Sequence, residues 1–134
     1  MLTVDTSVAV PLLLLSHAAH DKVYEWARGK DLSLTAHALA ETYSVLTRLP
    51  GDNRVAAEHA VALIDRRFAT TLTISADSAV QLHRRLAGAR IEGGAVYDGM
   101  IALTALEHGA TLVSRDKRAA RNYRSLGVGV QLLT

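Results

Sequence analysis

The chain has no cysteine among its 134 residues. A disulfide framework and a thiolate-bound metal are therefore excluded, and a reducing cytoplasm is the expected compartment. The longest apolar stretch runs from Val8 to Leu15 and contains Pro11. It is far shorter than the roughly 20 residues that cross a bilayer, and Asp5 precedes it where a signal peptide would be positively charged. We expect no membrane segment, and the leucines of this stretch belong to the core or to a partner surface.

A glycine-rich phosphate loop is also missing. The segment Gly127-Val128-Gly129 lacks both the third glycine and the following helix of such a loop. Internal repeats, low-complexity tracts and linkers are absent as well. With 49% apolar and 21% charged residues, the composition is typical of a folded protein. A single domain over residues 1–134 is the economical prediction.

The positive charge is modest, and its placement is more informative than its size. The formal net charge of +2 is too small to establish a polyanionic partner. Basic residues nevertheless cluster near the carboxyl end of the chain, at Arg115, Lys117, Arg118, Arg121 and Arg124. A guanidinium fork matches phosphate geometry better than a lysine ammonium does. The cluster is either a phosphate-binding surface or the solvated face of a helix.

Short runs of β-type residues alternate with longer helical runs, which predicts an α/β fold with a parallel sheet covered by helices. The predicted strands are Leu2–Val4, Leu32–Leu34, Leu72–Ile74, Thr111–Val113 and Val130–Leu132. The predicted helices are Ser7–Leu14, Ala18–Arg28, Ala36–Leu49, Arg54–Phe68, Ala76–Ala87, Tyr97–His108 and Lys117–Ser125.

Four acidic residues lie near strand ends in this pattern. Asp5 directly follows the first strand, and Asp116 follows the fourth. Glu41 lies in the helix that leaves the second strand, and Asp98 opens the helix that precedes the fourth. The carboxyl ends of parallel strands share one edge of the sheet, where ligands usually bind. We therefore expect Asp5, Glu41 and Asp116 to converge there, with Asp98 joining them if its helix points that way.

Each acid also has a purely structural explanation. Asp5, Asp98 and Asp116 are of the residue type favoured as a helix N-cap. Glu41 belongs to a polar stripe at helical spacing and could simply face solvent. Taken together, however, crowded carboxylates repel one another unless a cation joins them. Oxygen ligands without cysteine favour Mg²⁺ or Mn²⁺ over zinc, and such a site suits hydrolysis of phosphodiester bonds.

The acids stand in segments that resemble the motifs of the PIN-domain family. The segment Val4-Asp5-Thr6-Ser7 resembles the family's opening motif. The remaining motifs are matched by Ala40-Glu41, Tyr97-Asp98-Gly99-Met100-Ile101-Ala102 and Leu112-Val113-Ser114-Arg115-Asp116. They occur in the family's order over essentially the whole chain, and the length suits the VapC toxins. One departure is Ala119, where many relatives carry an aromatic residue.

The resemblance implies a PIN-like fold with about five parallel strands and a single-strand endoribonuclease that uses Mg²⁺ or Mn²⁺. It also implies homodimerisation and inhibition by a small VapB-type antitoxin. Asp5, Glu41, Asp98 and Asp116 become the catalytic, metal-binding quartet, with Asp5 and Asp98 as direct ligands. Thr6, Ser7 and Ser114 are expected to orient water or these ligands. Arg115, Arg118 and Arg121 are the expected contacts to RNA phosphates.

Two rival functions remain open at this point. Asp5 could be the nucleophile of a phosphotransfer enzyme, although Ser7 stands where such phosphatases place a second Asp as general acid. Receiver domains need an acidic pair near the first strand, and only Asp5 is available for it. Alternatively, the chain could be a non-catalytic RNA-binding module whose acids merely cap helices.

Overall fold

The computed structural model describes residues 1–134 and contains one sheet of five parallel strands. The strands are β1 (Leu2–Val4), β2 (Leu32–Thr35), β3 (Thr70–Leu72), β4 (Thr111–Ser114) and β5 (Val130–Leu132). Their order in the sheet is β3-β2-β1-β4-β5. The central strand β1 pairs on both sides, with Leu2 opposite Leu32 in β2 and opposite Thr111 in β4. This sheet confirms the predicted fold class.

Eight α-helices connect and cover the strands: α1 (Thr6–Leu13), α2 (His20–Ala27), α3 (Ala36–Thr47), α4 (Ala57–Arg67), α5 (Ala76–Ala79), α6 (Leu82–Gly88), α7 (Val96–Glu107) and α8 (Lys117–Ser125). Two 3-10 turns add Gly51–Asn53 and Gly93–Ala95. None of the helices is long and apolar enough to cross a membrane.

Three helices that leave strands begin at a side-chain cap. Asp5 accepts from Ser7 N at the start of α1, and Thr35 accepts from Ala38 N at the start of α3. Asp116 accepts from two backbone N–H groups at the start of α8. Such caps satisfy the free donors of a first helical turn. They fix α1, α3 and α8 at the carboxyl ends of β1, β2 and β4, which positions the site described below.

Several predicted elements end or begin one to three residues away from the observed ends, as does the helix predicted from Arg54, which begins at Ala57. Two predicted elements differ in a way that reflects the packing. The helix predicted over Ala76–Ala87 is interrupted by a turn between α5 and α6, and Leu86 of α6 packs against Ile91 and Leu103. Helices α6 and α7 approach closely at Gly99, where a Cβ would overlap a methyl carbon of Leu86 unless that side chain shifted. The strand predicted at Leu72–Ile74 lies two residues earlier, as β3, where it pairs with β2. Packing and pairing, which are non-local, decided both differences.

Candidate active site

A cleft of about 200 Å³ opens at the carboxyl ends of the central strands. Its lining contains all four acids predicted from the sequence, together with Thr6 and Ser7; the nine lining residues are Asp5, Thr6, Ser7, Glu41, Asp98, Ile101, Asp116, Ala119 and Tyr123. The first turn of α7 brings Asp98 to the acids that follow β1, β2 and β4. The expected convergence is therefore present in the fold.

Asp5 is the most enclosed of the four acids, with 4% of its surface exposed. Its Oδ1 accepts from Ser7 N at 3.0 Å and from the Ser7 hydroxyl, and its Oδ2 accepts from Tyr123 Oη at 2.8 Å. Burial raises the pKa of the Asp5 carboxyl, and hydrogen bonds from neighbouring hydroxyl groups offset this only in part. A buried carboxylate of this kind favours a neighbouring positive charge.

Asp98 is half-buried and does not cap a helix, since the N-cap of α7 is Ala95 and no side chain caps this helix. Its Oδ2 accepts from Asn122 Nδ2 at 3.2 Å. Burial raises the pKa of the Asp98 carboxyl, and the negative charges of Asp116 and Asp5 raise it further. The capping explanation thus holds for Asp5 and Asp116 but not for Asp98, whose place in the first turn of α7 leaves it free for another role.

Glu41 and Asp116 complete the acidic lining. Glu41 is partly buried on α3, with its Oε1 3.4 Å from the Thr6 hydroxyl and 3.6 Å from His37 Nε2. Asp116 is exposed, and its Oδ1 accepts from Arg118 N at 2.9 Å and Ala119 N at 3.2 Å. Both acids line the cleft and are at least partly exposed, which suits them to bind water or a cation.

A hydroxyl network joins the ends of β1 and β4 beneath the cleft. The Ser7 hydroxyl donates to Asp5, lies 3.3 Å from the Ser114 hydroxyl and accepts from Arg115 N at 2.8 Å. The Ser114 hydroxyl accepts from Asp116 N at 3.0 Å. Ser7 and Ser114 therefore fix the two aspartates relative to one another, and Thr6 contacts Glu41.

The three predicted RNA-binding arginines occupy different environments. Arg118 and Arg121 are exposed on α8. Arg115 does not line the cleft, and its Nη1 lies 3.4 Å from the Ser7 carbonyl. That carbonyl lacks its usual helical donor because Pro11, four residues later inside α1, has no N–H. Arg115 thus has a structural contact, which sets it apart from Arg118 and Arg121.

Sequence reasoning missed two residues of the site, Asn122 and Tyr123. These neighbours on α8 each hold one carboxylate, Asp98 and Asp5 respectively. Tyr123 is 1% exposed, and burial together with the negative charge of Asp5 raises the pKa of its hydroxyl. A tyrosine one turn beyond Ala119 was a usable signal, because residues four apart share a helix face. Nothing in the local sequence singled out Asn122.

The residues of the cleft fit a hard divalent cation. Four carboxylates supply oxygen ligands. Burial raises the pKa of both Asp5 and Asp98, and at Asp98 the negative charges of Asp116 and Asp5 raise it further, which a bound cation would relieve. No three or more His, Cys, Asp or Glu side chains are grouped so that they could hold one ion. Mg²⁺ usually keeps several waters and is bound through one or two carboxylates, so it does not need such a cage.

The chain is similar to known proteins over its whole length. The model of the PIN domain family matches residues 2–125. Ribonuclease VapC27 of Mycobacterium tuberculosis is 51% identical over 129 residues, covering 96% of this chain and 94% of that protein. Ribonuclease VapC40 of the same species is 41% identical over 136 residues, and the alignment covers 100% of this chain and 100% of that protein.

The fold has solved counterparts. The structure of FitAB bound to an IR36 DNA fragment matches with a TM-score of 0.72 at 23% identity, covering 98% of this chain and 94% of that one. At that identity the likeness concerns the fold alone. The motifs around the four acids, the five-stranded parallel sheet and the family match agree, and the chain belongs to the PIN-domain family.

Proposed function

We propose that this protein is a metal-dependent endoribonuclease, the toxin of a VapBC-type toxin–antitoxin pair. The observation that carries the proposal is the convergence of Asp5, Glu41, Asp98 and Asp116 on one cleft. Only Asp5 and Asp116 are accounted for as helix caps. The two ribonuclease relatives, at 51% and 41% identity, support the same activity.

In this proposal Asp5 and Asp98 hold the cation, which is Mg²⁺ or Mn²⁺. A bound divalent cation would polarise the phosphate and lower the pKa of a water molecule. Ser7 and Tyr123 hold the Asp5 carboxylate in one orientation, and Asn122 does the same for Asp98. Glu41 and Asp116 line the same cleft and orient the attacking water through their carboxylate oxygens. Ser114 holds the backbone that carries Asp116.

Replacing Tyr123 with Phe tests whether the hydroxyl positions the metal ligand. We expect a Kd for Mn²⁺ about 10- to 100-fold weaker, the usual effect of removing a hydrogen-bond partner from a ligand. Titration calorimetry measures this without RNA. Tyr24→Phe is the matched control, since Tyr24 is exposed on α2 and lies outside the cleft. Equal Mn²⁺ affinity in Tyr123→Phe and wild type would show that Asp5 needs no such support.

The substrate proposed is single-stranded RNA, with Arg118 and Arg121 at phosphates next to the cleft. Both are exposed, lie one turn apart on α8 and follow Asp116 closely. Arg115 joins them only if RNA displaces its contact with the Ser7 carbonyl. Contacts of this kind bind backbone and do not read sequence.

Replacing both Arg118 and Arg121 with Gln should weaken binding to every single-stranded RNA. It should also reduce the slope of log K against log salt by about 0.7 for each phosphate that the protein no longer neutralises. Fluorescence anisotropy at several salt concentrations measures both quantities. The control is Arg84→Gln with Arg85→Gln, two exposed arginines of α6. A changed sequence preference at an unchanged salt slope would contradict a role as phosphate anchors.

A small VapB-type antitoxin and a second copy of this chain are the protein partners we propose. The two VapC relatives and the family resemblance of the motifs support the antitoxin. Homodimerisation rests on the family resemblance, and sedimentation of the purified protein with and without a candidate antitoxin measures both assemblies.

The decisive experiment is RNA cleavage with Mn²⁺ or Mg²⁺ and with EDTA. The proposal requires internal cuts that need the cation and stop in EDTA. A phosphotransfer enzyme would release phosphate from a phosphorylated substrate without shortening the chain. A non-catalytic module would bind RNA and cut nothing under either condition. Comparison of Mg²⁺ with Mn²⁺ at equal concentration identifies the better cofactor.

A further inference from the structure

An aromatic stack lies beside two acids of the carboxylate cleft, next to Glu41 and Asp98, and has no role in the proposed hydrolysis. The rings of His37 and Tyr97 are parallel within 7°, with centroids 5.4 Å apart. His37 lies in the first turn of α3, one turn before Glu41, and Tyr97 directly precedes Asp98 in the first turn of α7. Both rings therefore belong to helices that carry an acid of the site.

The stack is anchored on one side and open on the other. The His37 side chain is 23% exposed, and its Nε2 lies 3.6 Å from Glu41 Oε1. That nitrogen is buried without a hydrogen-bond partner, so its environment is packing rather than water. Tyr97 remains 54% exposed although His37 covers one face of its ring. With His37 stacked on one side of the Tyr97 ring, the opposite face is the one left for another ring.

An exposed aromatic ring held flat by a second ring is a preorganised surface for another flat group. Little conformational entropy remains to be lost when a third ring stacks on it. Of the three exposed tyrosines, Tyr24 has a histidine neighbour at a tilt of 36°, and Tyr97 alone has a parallel one. Single-stranded RNA offers unstacked bases, which proteins bind by stacking on Tyr and His side chains.

We propose that the exposed face of Tyr97, backed by His37, is a base-stacking subsite for a nucleotide next to the scissile phosphate. This inference rests on the proposed RNA substrate. The scissile phosphate of the RNA lies at the carboxylates, while the neighbouring base stacks on Tyr97 beside the cleft. Stacking accepts any base, so the subsite holds the strand in place without reading its sequence.

The test separates base from phosphate and binding from cleavage. Fluorescein-labelled oligoadenylate and an abasic phosphodiester oligomer of equal length bind the protein in EDTA, where no cutting occurs. Tyr97→Ala should weaken oligoadenylate binding about 5- to 150-fold, the range expected for one stacked base. The abasic oligomer should bind all variants equally. Tyr97→Phe should retain wild-type affinity, because the ring and not the hydroxyl stacks.

Tyr24→Ala is the matched control, since Tyr24 is also 54% exposed and lies beside a histidine outside the cleft. Equally weakened binding of both probes would mean that Tyr97 acts through the fold or through charge. Unchanged affinity for oligoadenylate would equally overturn the subsite, and a change of oligomeric state beside it would make Tyr97 a protein contact instead. If wild type binds oligoadenylate through Tyr97 yet never cleaves RNA with Mn²⁺, the nuclease proposal falls while Tyr97 remains a base-stacking site for bound RNA.

Discussion

Replacing Asp98 with Asn is expected to reduce RNA cleavage by at least about a thousandfold while the protein stays folded. Loss of a cation ligand removes several kcal/mol of transition-state stabilisation, and each 1.36 kcal/mol is tenfold in rate. The fold tolerates the change because the pKa of Asp98 is raised, so its charge is unfavourable where it stands. An Asn side chain also keeps an oxygen that accepts from Asn122.

Single-turnover cleavage and circular dichroism measure the two halves of this prediction. Asp77→Asn is the matched control, because Asp77 also lies in the first turn of a helix, α5, but is exposed and outside the cleft. It should leave the rate unchanged. A variant at Asp98 that unfolds, or that keeps wild-type activity when folded, would reduce Asp98 to a structural residue and remove it from the metal site.

Mg²⁺ or Mn²⁺ is expected to raise the melting temperature through the acidic cleft. A cation that binds the folded site but not the open chain stabilises by mass action, by roughly 2.7 kcal/mol at about 100 times its Kd. For a domain of this size each kcal/mol moves the midpoint by about 2–8 °C. Asp5→Asn should blunt this rise, since it removes the most buried ligand.

The same substitution should raise the midpoint of the metal-free protein at neutral pH. Burial raises the pKa of Asp5 above its ordinary value of 3.8, so the folded chain keeps a proton that the unfolded chain releases. The metal-free fold therefore loses stability as pH rises from about that value through the raised pKa, and this loss persists at neutral pH. Asn carries no charge, caps α1 equally well and avoids the loss.

Thermal melts of wild type and Asp5→Asn, in EDTA or in millimolar Mn²⁺ and over a range of pH, measure these effects together. The metal-induced rise should shrink as pH falls, because protons compete for the ligands. Asp65→Asn, an exposed acid of α4, is the control and should respond to Mn²⁺ like wild type. An equal rise in the Asp5 variant would place the cation elsewhere.

The sequence by itself determined the fold class and the edge of the sheet at which the acids lie, because both follow from local patterns of residues. The alternation of strands and helices predicted a parallel α/β fold, and the positions of Asp5 and Asp116 at strand ends placed them at one edge. An Asp that directly follows a strand lies at the carboxyl edge of the sheet, where it can cap the helix that comes next. The helix that leaves the second strand placed Glu41 at the same edge, and the resemblance to the family's motifs added Asp98.

Only the tertiary structure decided how those pieces meet. The strand order β3-β2-β1-β4-β5 pairs residues that are far apart in the chain. Local periodicity cannot predict such pairing, because it reflects only residues close in sequence. The break between α5 and α6 accompanies the packing of Leu86 in a small second core cluster. Asp98 reaches the cleft without capping a helix because of the direction in which α7 runs. Asn122 and Tyr123 acquire their contacts with the acids only when α8 docks on the sheet, because a hydrogen bond to a distant carboxylate leaves no trace in the spacing of neighbouring residues.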